Sequence, residues 1–150
     1  TLCSVSLLLI ALYFQYILGL QPCKLCIWQR VPHVVIIILS FFGLINFKLR
    51  PSVCLSCLVL ILANVFLSGY HVGIEYKLWN GPQSCSQSET LSNLSPEKFL
   101  EVILNAPVVQ CDIIAWSFLN ISMAGWHFIL CSFLTVGWLQ TTRHALTKLS

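Results

Sequence analysis

Four long segments without a charged residue dominate this chain and constrain its fold more than any other feature. They cover residues 2–20, 31–47, 52–70 and 119–140. Each is close to the roughly 20 apolar residues that an α-helix needs to cross the hydrocarbon core of a bilayer. The sequence therefore predicts an all-α membrane protein, a bundle of four transmembrane helices with a long loop, about residues 71–118, between helices 3 and 4.

Composition supports a membrane protein of one domain. The 150 residues are 57% hydrophobic and only 9% charged, with a mean hydropathy of +0.85, whereas a soluble globular protein is about 25% charged. A chain of this length has too little interior to hide so much apolar surface from water. We therefore expect residues 1–150 to form a single integral membrane domain covered by lipid. The net charge of +3 comes without a basic cluster, which argues against a nucleic-acid partner.

The number of crossings decides which loops share a compartment. With four crossings, residues 21–30 and 71–118 face one side, and residues 48–51 face the other side together with both termini. Lys and Arg near the helix ends number four on each side, so the positive-inside rule does not orient the chain. The first segment has neither a basic start nor a small-residue cleavage site, and we expect it to be a retained helix.

Cys23 and Cys26 form a Cys-x-x-Cys pair at the mouth of the second helix, directly after Pro22. Residues three apart share a helix face, and a helix N-terminus lowers the pKa of a thiol by stabilising the thiolate. The thiolate is the attacking species in disulfide exchange. Arg30, four residues after Cys26, would further favour an anion there. The spacing fits a redox pair, and a metal site is the alternative.

Cys85 and Cys111 lie in the long loop, which faces the same compartment as Cys23 and Cys26. Alone, they would form an ordinary loop-closing disulfide. Two cysteine pairs on one side of the membrane, one of them at a helix mouth, instead suggest a thiol–disulfide relay.

The other four cysteines are expected to be chemically inert. A second Cys-x-x-Cys, formed by Cys54 and Cys57, falls at the start of the third segment and therefore on the opposite side. Cys3 and Cys131 lie within apolar segments. Buried cysteines behave as small apolar residues, and we assign that role to all four.

Two further features of the long loop carry predictions. His71 and Glu75 follow the third segment, and His71 should lie at the depth of Arg30, where it could hydrogen-bond a bound ligand or be an ordinary interfacial residue. Ser95 and Pro96 match a helix start. The residues up to Asn105 fit a short amphipathic helix, either on the membrane surface or packed on the loop.

Several fragments, in order, resemble the disulfide bond formation protein B (DsbB) family. They are Leu20-Gln21-Pro22-Cys23-Lys24-Leu25-Cys26 with Arg30, Tyr70-His71-Val72-Gly73-Ile74-Glu75, Gly81-Pro82-Gln83-Ser84-Cys85, Cys111-Asp112, Trp116, Phe118-Leu119 and Ser122-Met123-Ala124. Two positions depart from the family pattern: Asn120 stands where a glycine is expected, and His127 where an asparagine is expected.

The resemblance implies a function and a role for each cysteine. Cys85 would form a mixed disulfide with a DsbA-like thioredoxin-fold protein, and the freed Cys111 would exchange with Cys23. Cys26 would face a quinone, ubiquinone or menaquinone, and Arg30 would stabilise charge on the thiolate–quinone adduct. The chain would lie in the bacterial inner membrane with both redox loops periplasmic, and no metal or flavin would be required.

Three alternatives remain at this point. The vitamin K epoxide reductase family also combines four helices, a Cys-x-x-Cys and a quinone, but its loop cysteines precede the Cys-x-x-Cys. The second is a structural four-helix membrane protein whose loop is closed by a disulfide, but this alternative does not explain why Cys23, Cys26 and Arg30 lie on one helix face. A metal carrier would need histidines near the pair, and only His33 is close.

Overall fold

The computed structural model describes residues 1–82, 85 and 109–147, and these residues are mostly helical. The elements are α1 (Leu2–Tyr16), α2 (Lys24–Ile45), a 3-10 turn (Phe47–Leu49), α3 (Arg50–Glu75), the short strands β1 (Ser117–Phe118) and β2 (Ile121–Ser122), and α4 (Met123–Thr147). The predicted helix starting at Ser95 lies outside the described residues.

The helices α2 and α3 pack antiparallel. Gly43, near the end of α2, faces Val53, near the start of α3. At the opposite end of the pair, the side chains of Gln29 and His71 are hydrogen-bonded at 3.3 Å. The start of α2 and the end of α3 therefore lie at one end of the bundle, which we call the cysteine end because Cys23 and Cys26 lie there.

The helices α1 and α4 complete the bundle in the same alternating sense. Ser122, just before α4, hydrogen-bonds Glu75 in the last turn of α3. Gln15, near the end of α1, accepts a hydrogen bond from Arg30 in α2. The end of α1 and the start of α4 consequently also lie at the cysteine end.

Two stretches of the described residues are long and apolar enough to cross a membrane. They are Lys24–Ile45, with 22 residues and a mean hydropathy of 1.8, and Phe47–Glu75, with 29 residues and a mean hydropathy of 2.2. The helix α1 is apolar but has only 15 residues, fewer than the roughly 20 of a full span. Large apolar side chains point outward, including Phe66, which is 76% exposed, and Phe133. Such a surface suits lipid rather than water.

The helix α2 begins at Lys24, seven residues before the predicted start at Val31, and ends at Ile45. Cys23 caps it, because the Cys23 sulfur accepts a hydrogen bond from the backbone N–H of Cys26 at 3.2 Å.

The helix α2 also continues through Pro32. A proline inside a helix removes a backbone donor, and neighbouring helices can satisfy freed carbonyls in an apolar bundle. Pro32 cannot donate to the carbonyl of Trp28, and Asn64 of α3 donates to the neighbouring carbonyl of Gln29 at 3.1 Å.

The first and third helices also differ from their predicted bounds of residues 2–20 and 52–70. The helix α1 ends at Tyr16, and the chain turns at Gly19, whose φ of +68° is one that glycine readily adopts. The helix α3 extends from Arg50 to Glu75, so His71 and Glu75 lie in its last turn rather than after it. Both face the interior, which the hydropathy pattern alone does not indicate for a histidine and a glutamate.

The fourth helix begins at Met123 instead of Leu119, because a small hairpin precedes it. Ser117 pairs with Ser122 and Phe118 with Ile121, which leaves Leu119 and Asn120 as a two-residue turn. Ser122 then caps α4 by accepting a hydrogen bond from the backbone N–H of Gly125 at 3.1 Å.

Candidate active site

The Cys-x-x-Cys pair forms the first part of the site. Cys23 stands at the N-cap of α2 and Cys26 in its first turn, where free N–H groups and the helix dipole stabilise an anion. The two sulfur atoms are 2.9 Å apart, farther than the roughly 2.05 Å of a disulfide bond. The two sulfurs are close enough to form a disulfide after a small movement.

The environment of Cys23 keeps its proton in place. Its hydrogen bond with the Cys26 sulfur, followed by burial, raises the pKa of the Cys23 thiol to about 12. A hydrogen bond from His71 acts in the opposite direction but does not outweigh these two effects. A single negative charge on the reduced pair would therefore reside on Cys26.

The loop cysteines lie against this pair. The backbone N–H of Cys111 donates to the carbonyl of Cys85 at 2.7 Å. Burial raises the pKa of the Cys111 thiol. Cys23, Cys85 and Cys111 belong to one buried apolar cluster, against which Cys26 packs. The structure thus brings together all four cysteines for which the sequence predicts a catalytic role.

A series of polar side chains in contact with one another lies beside Cys23, beginning with His71 of α3. His71 is 2% exposed, and its Nε2 lies 3.6 Å from the Cys23 sulfur. The side-chain amide of Gln29 lies 3.3 Å from its Nδ1. With that amide nitrogen donating to Nδ1, the ring proton is on Nε2 and faces the sulfur. Glu75 approaches the same Nε2 at 4.0 Å and accepts a hydrogen bond from Ser122.

A mostly apolar cavity of about 350 Å³ opens beside Cys26, between α1, α2, α4 and the hairpin. Arg30 lines it, and its guanidinium donates to the side chain of Gln15. Aromatic rings of Phe14, Trp116, Phe118 and Trp126 form much of its wall. Phe14 and Trp116 are in contact, with ring centroids 4.9 Å apart.

His71 does not belong to the wall of this cavity. It lines a smaller neighbouring cavity of about 50 Å³, together with Cys23, Cys26 and Arg30. Its nearest sulfur is that of Cys23, so its predicted contact with a bound ligand stays a prediction.

The second Cys-x-x-Cys is remote from this site. Cys54 and Cys57 are buried in the first two turns of α3. At about 1.5 Å of helix rise per residue, Cys54 lies about 25 Å from His71 along α3. Cys3 is exposed and Cys131 is buried.

Sequence reasoning missed two glutamines of the site, Gln15 and Gln29. Each contacts one of the residues that it did single out, Arg30 and His71 respectively. The available signal was the presence of polar side chains in or beside apolar segments, which in membrane helices usually face the protein interior and mark functional sites.

These features define a helical membrane protein with a four-cysteine centre for disulfide chemistry. The family model for "Disulfide bond formation protein DsbB" matches residues 1–141. The chain belongs to the DsbB family, which confirms the family predicted from its sequence.

Individual relatives agree with this assignment. A disulfide bond formation protein B of Pasteurella multocida is 33% identical over 133 residues, covering 85% of this chain and 72% of the relative. One from Mannheimia succiniciproducens is 31% identical, with 85% and 73% covered. An uncharacterized protein of Rickettsia prowazekii is 28% identical, with 85% and 74% covered.

Proposed function

We propose that this chain is a quinone-dependent thiol oxidase, which reoxidises a DsbA-like thioredoxin-fold protein and passes two electrons to a membrane quinone. The observation that carries the proposal is the position of Cys26. It packs against the buried cluster of the other three cysteines, and it also lines the 350 Å³ cavity beside Arg30. One residue thus connects a site for thiol–disulfide exchange with a site for a small apolar molecule.

The cysteine contacts suggest the order of exchange. In the oxidised enzyme, Cys85–Cys111 and Cys23–Cys26 are disulfides. A thiolate of the partner attacks Cys85 and releases Cys111. Cys111 packs in the same buried cluster as Cys23, so its thiol attacks Cys23 and releases the thiolate of Cys26.

Two further exchanges close this part of the cycle. The second thiol of the partner displaces Cys85, which leaves the partner as a disulfide. Cys85 then attacks Cys111, re-forms the loop disulfide and releases Cys23. The partner has lost two electrons and two protons, and the pair of Cys23 and Cys26 has gained them.

The cavity fits a quinone ring. Its volume of about 350 Å³ lies within the roughly 300–1,000 Å³ typical of small-molecule sites, and its aromatic walls suit a flat, apolar ring. A bound quinone, ubiquinone or menaquinone, supplies an acceptor for two electrons and two protons. The electron pair leaves through Cys26 as Cys23 re-forms the disulfide with it. The guanidinium of Arg30 stabilises the negative charge that develops at the cavity wall.

His71 assists Cys23 in this scheme. Its Nε2–H faces the Cys23 sulfur at 3.6 Å, so it stabilises negative charge there when Cys23 is the leaving group or the attacking thiolate. The contact matters because the Cys26 hydrogen bond and burial hold the pKa of Cys23 near 12.

The placement in the cell is also part of the proposal. The bundle of four helices lies in the bacterial inner membrane, and the cysteine end faces the periplasm, where a thioredoxin-fold partner would meet Cys85. Cys85 is 1% exposed, so docking of the partner has to uncover it. The family match disfavours a vitamin K epoxide reductase or a purely structural four-helix protein.

The order of exchange is tested by removing Cys111. In Cys111→Ala, a partner thiolate has no disulfide at Cys85 to attack, so Cys85 is first activated with a 2-nitro-5-thiobenzoate leaving group and then mixed with the reduced partner. We expect a mixed disulfide to accumulate, visible as a higher-mass band on a non-reducing gel that disappears with dithiothreitol. The matched control, Cys85→Ala with Cys111 activated, should trap less partner. Equal or greater trapping at Cys111 would reverse the proposed order.

A further inference from the structure

Three side chains of types that can ligate a metal ion meet in the interior of the bundle, outside the cluster of four cysteines. His33 comes from α2, and His127 and Cys131 come from successive turns of α4. His33 is 1% exposed and Cys131 is fully buried. The Nε2 atoms of the two histidines are 3.1 Å apart. The Cys131 sulfur lies 3.7 Å from Nε2 of His33 and 3.5 Å from Nε2 of His127.

This triangle has the dimensions of a coordination sphere. With metal bonds of about 2.0 Å to nitrogen and 2.3 Å to sulfur at tetrahedral angles, the nitrogens would be about 3.3 Å apart and each about 3.5 Å from the sulfur. The observed sides of 3.1, 3.5 and 3.7 Å match those values to within about 0.2 Å. The three ligand atoms are therefore spaced so that one ion could contact all of them.

The protonation that the geometry permits also suits a metal. Two ring nitrogens 3.1 Å apart can hold only one proton between them, so at least one presents its lone pair to the other. Asn64 reaches His33 Nε2 at 3.1 Å and Cys131 at 3.9 Å. A bound ion would replace the contact between Asn64 and His33. The contact with Cys131 would place the amide N–H beside the metal-bound thiolate, and such hydrogen bonds to ligands are common around metal sites.

We propose that His33, His127 and Cys131 bind a soft d10 cation, and that copper(I) is the preferred ion. Thiolate and imidazole ligands select copper(I) and zinc. Copper(I) with one thiolate is neutral overall, whereas zinc with the same ligands keeps one positive charge, which costs more in an apolar interior. His33 and His127 also line the 350 Å³ cavity, so the ion would border whatever molecule occupies it. This site goes beyond the proposed oxidase activity and does not depend on it.

The test uses the full chain in detergent, loaded with copper(I) under ascorbate and then dialysed against the chelator bathocuproine disulfonate. We expect one copper per chain to be retained, and a parallel zinc loading to be retained less well. Cys131→Ser and His127→Asn should each lose most of the copper. The matched control is Cys57→Ser, because Cys57 is equally buried in the same apolar cluster as Cys131 but lies outside the triangle.

A second possible ligand group must be separated from this one. Cys23, Cys26 and His71 also have their ligand atoms within 4.8 Å of one another. Copper retained by Cys26→Ser but lost by Cys131→Ser supports the interior site, and the reverse pattern overturns it. X-ray absorption of the loaded wild type needs no variant: one sulfur and two imidazole nitrogens are expected. Two sulfur ligands, or no retained ion of either metal, would refute the proposal and leave a hydrogen-bonded trio of side chains.

Discussion

The two sulfurs of the Cys-x-x-Cys pair occupy different surroundings, although they are only 2.9 Å apart. Cys23 is held between the Cys26 sulfur and His71, while Cys26 alone borders the large cavity. In the proposed mechanism, this difference is the reason why Cys23 exchanges with the loop cysteines and Cys26 with a bound acceptor.

The pH dependence of Cys23 alkylation tests that difference. A thiol with a raised pKa stays protonated and unreactive until the pH approaches that pKa, so Cys23 in the reduced wild type should react slowly at neutral pH. In Cys26→Ala the largest cause of the shift is gone, and the midpoint of Cys23 alkylation should move to lower pH. Adding His71→Leu to Cys26→Ala should move the midpoint of Cys23 alkylation to higher pH again, because the His71 contact lowers the pKa of Cys23. Site-resolved mass spectrometry after iodoacetamide labelling measures this, and an unchanged midpoint in Cys26→Ala would contradict the assignment.

Arg30 provides a second test at the scale of one residue. Arg30→Met keeps an apolar stem but removes the charge at the cavity wall. We expect quinone reduction to slow by about tenfold or more, since a charge interaction of 1–2 kcal/mol changes a rate by roughly that factor. Arg30→Lys should recover part of the loss, because it restores charge but not the planar guanidinium.

The control for Arg30 is Lys24→Met, which removes a positive charge at the same end of the bundle from an exposed position. When rates are measured against quinone concentration, Lys24→Met should have a maximal rate and half-saturation near those of the wild type. If Arg30→Met behaves like the control in both maximal rate and half-saturation, Arg30 is only an interfacial anchor.

Among the elements, the hairpin before α4 carries backbone strain. Leu119 has a φ of +52° and Asn120 a φ of +60°. Asparagine tolerates this left-handed region, which explains why it can stand where the family pattern suggests glycine, whereas leucine there costs about 1 kcal/mol. Leu119 is 71% exposed, so little packing offsets that cost.

Relieving the strain should stabilise the protein. We expect Leu119→Asn to increase the free energy of unfolding by about 0.5–1 kcal/mol, seen as a higher midpoint of thermal unfolding in detergent. Ile113→Asn is the control, since Ile113 is similarly exposed but is not among the residues with positive φ. A lower midpoint for Leu119→Asn than for the control would show that the turn is held by contacts of the leucine side chain.

Sequence reasoning located the four described helices but not their ends. Hydropathy marks the uncharged part of a helix, so it places the first two turns of α2, with Cys26 and Arg30, in a loop. The last turn of α3 was lost in the same way, because His71 is polar although it is buried. The start of α2 is set by the local cap at Cys23, and the end of α3 is held by the long-range contacts of His71 and Glu75. Hydropathy reveals neither.

At the scale of the whole molecule, the number of crossings predicts which loops meet at the site. An alternating order of helices puts residues 21–30 and 71–118 at one end of the bundle, and the structure places Cys85 and Cys111 there, against Cys23. The cavity could not be predicted in this way. Its wall combines side chains from three helices and the hairpin, and its volume depends on packing between segments far apart in the chain.

The central claim is that electrons pass from a dithiol protein through the cysteine cluster to a quinone. The most direct measurement follows quinone absorbance after purified protein is mixed with quinone and a reduced thioredoxin-fold oxidase. We predict one quinone reduced per partner oxidised, no turnover in Cys26→Ser, and near wild-type turnover in Cys57→Ser, whose cysteine lies in the remote pair. Turnover in Cys26→Ser equal to wild type, or partner oxidation without loss of quinone absorbance, would contradict the account.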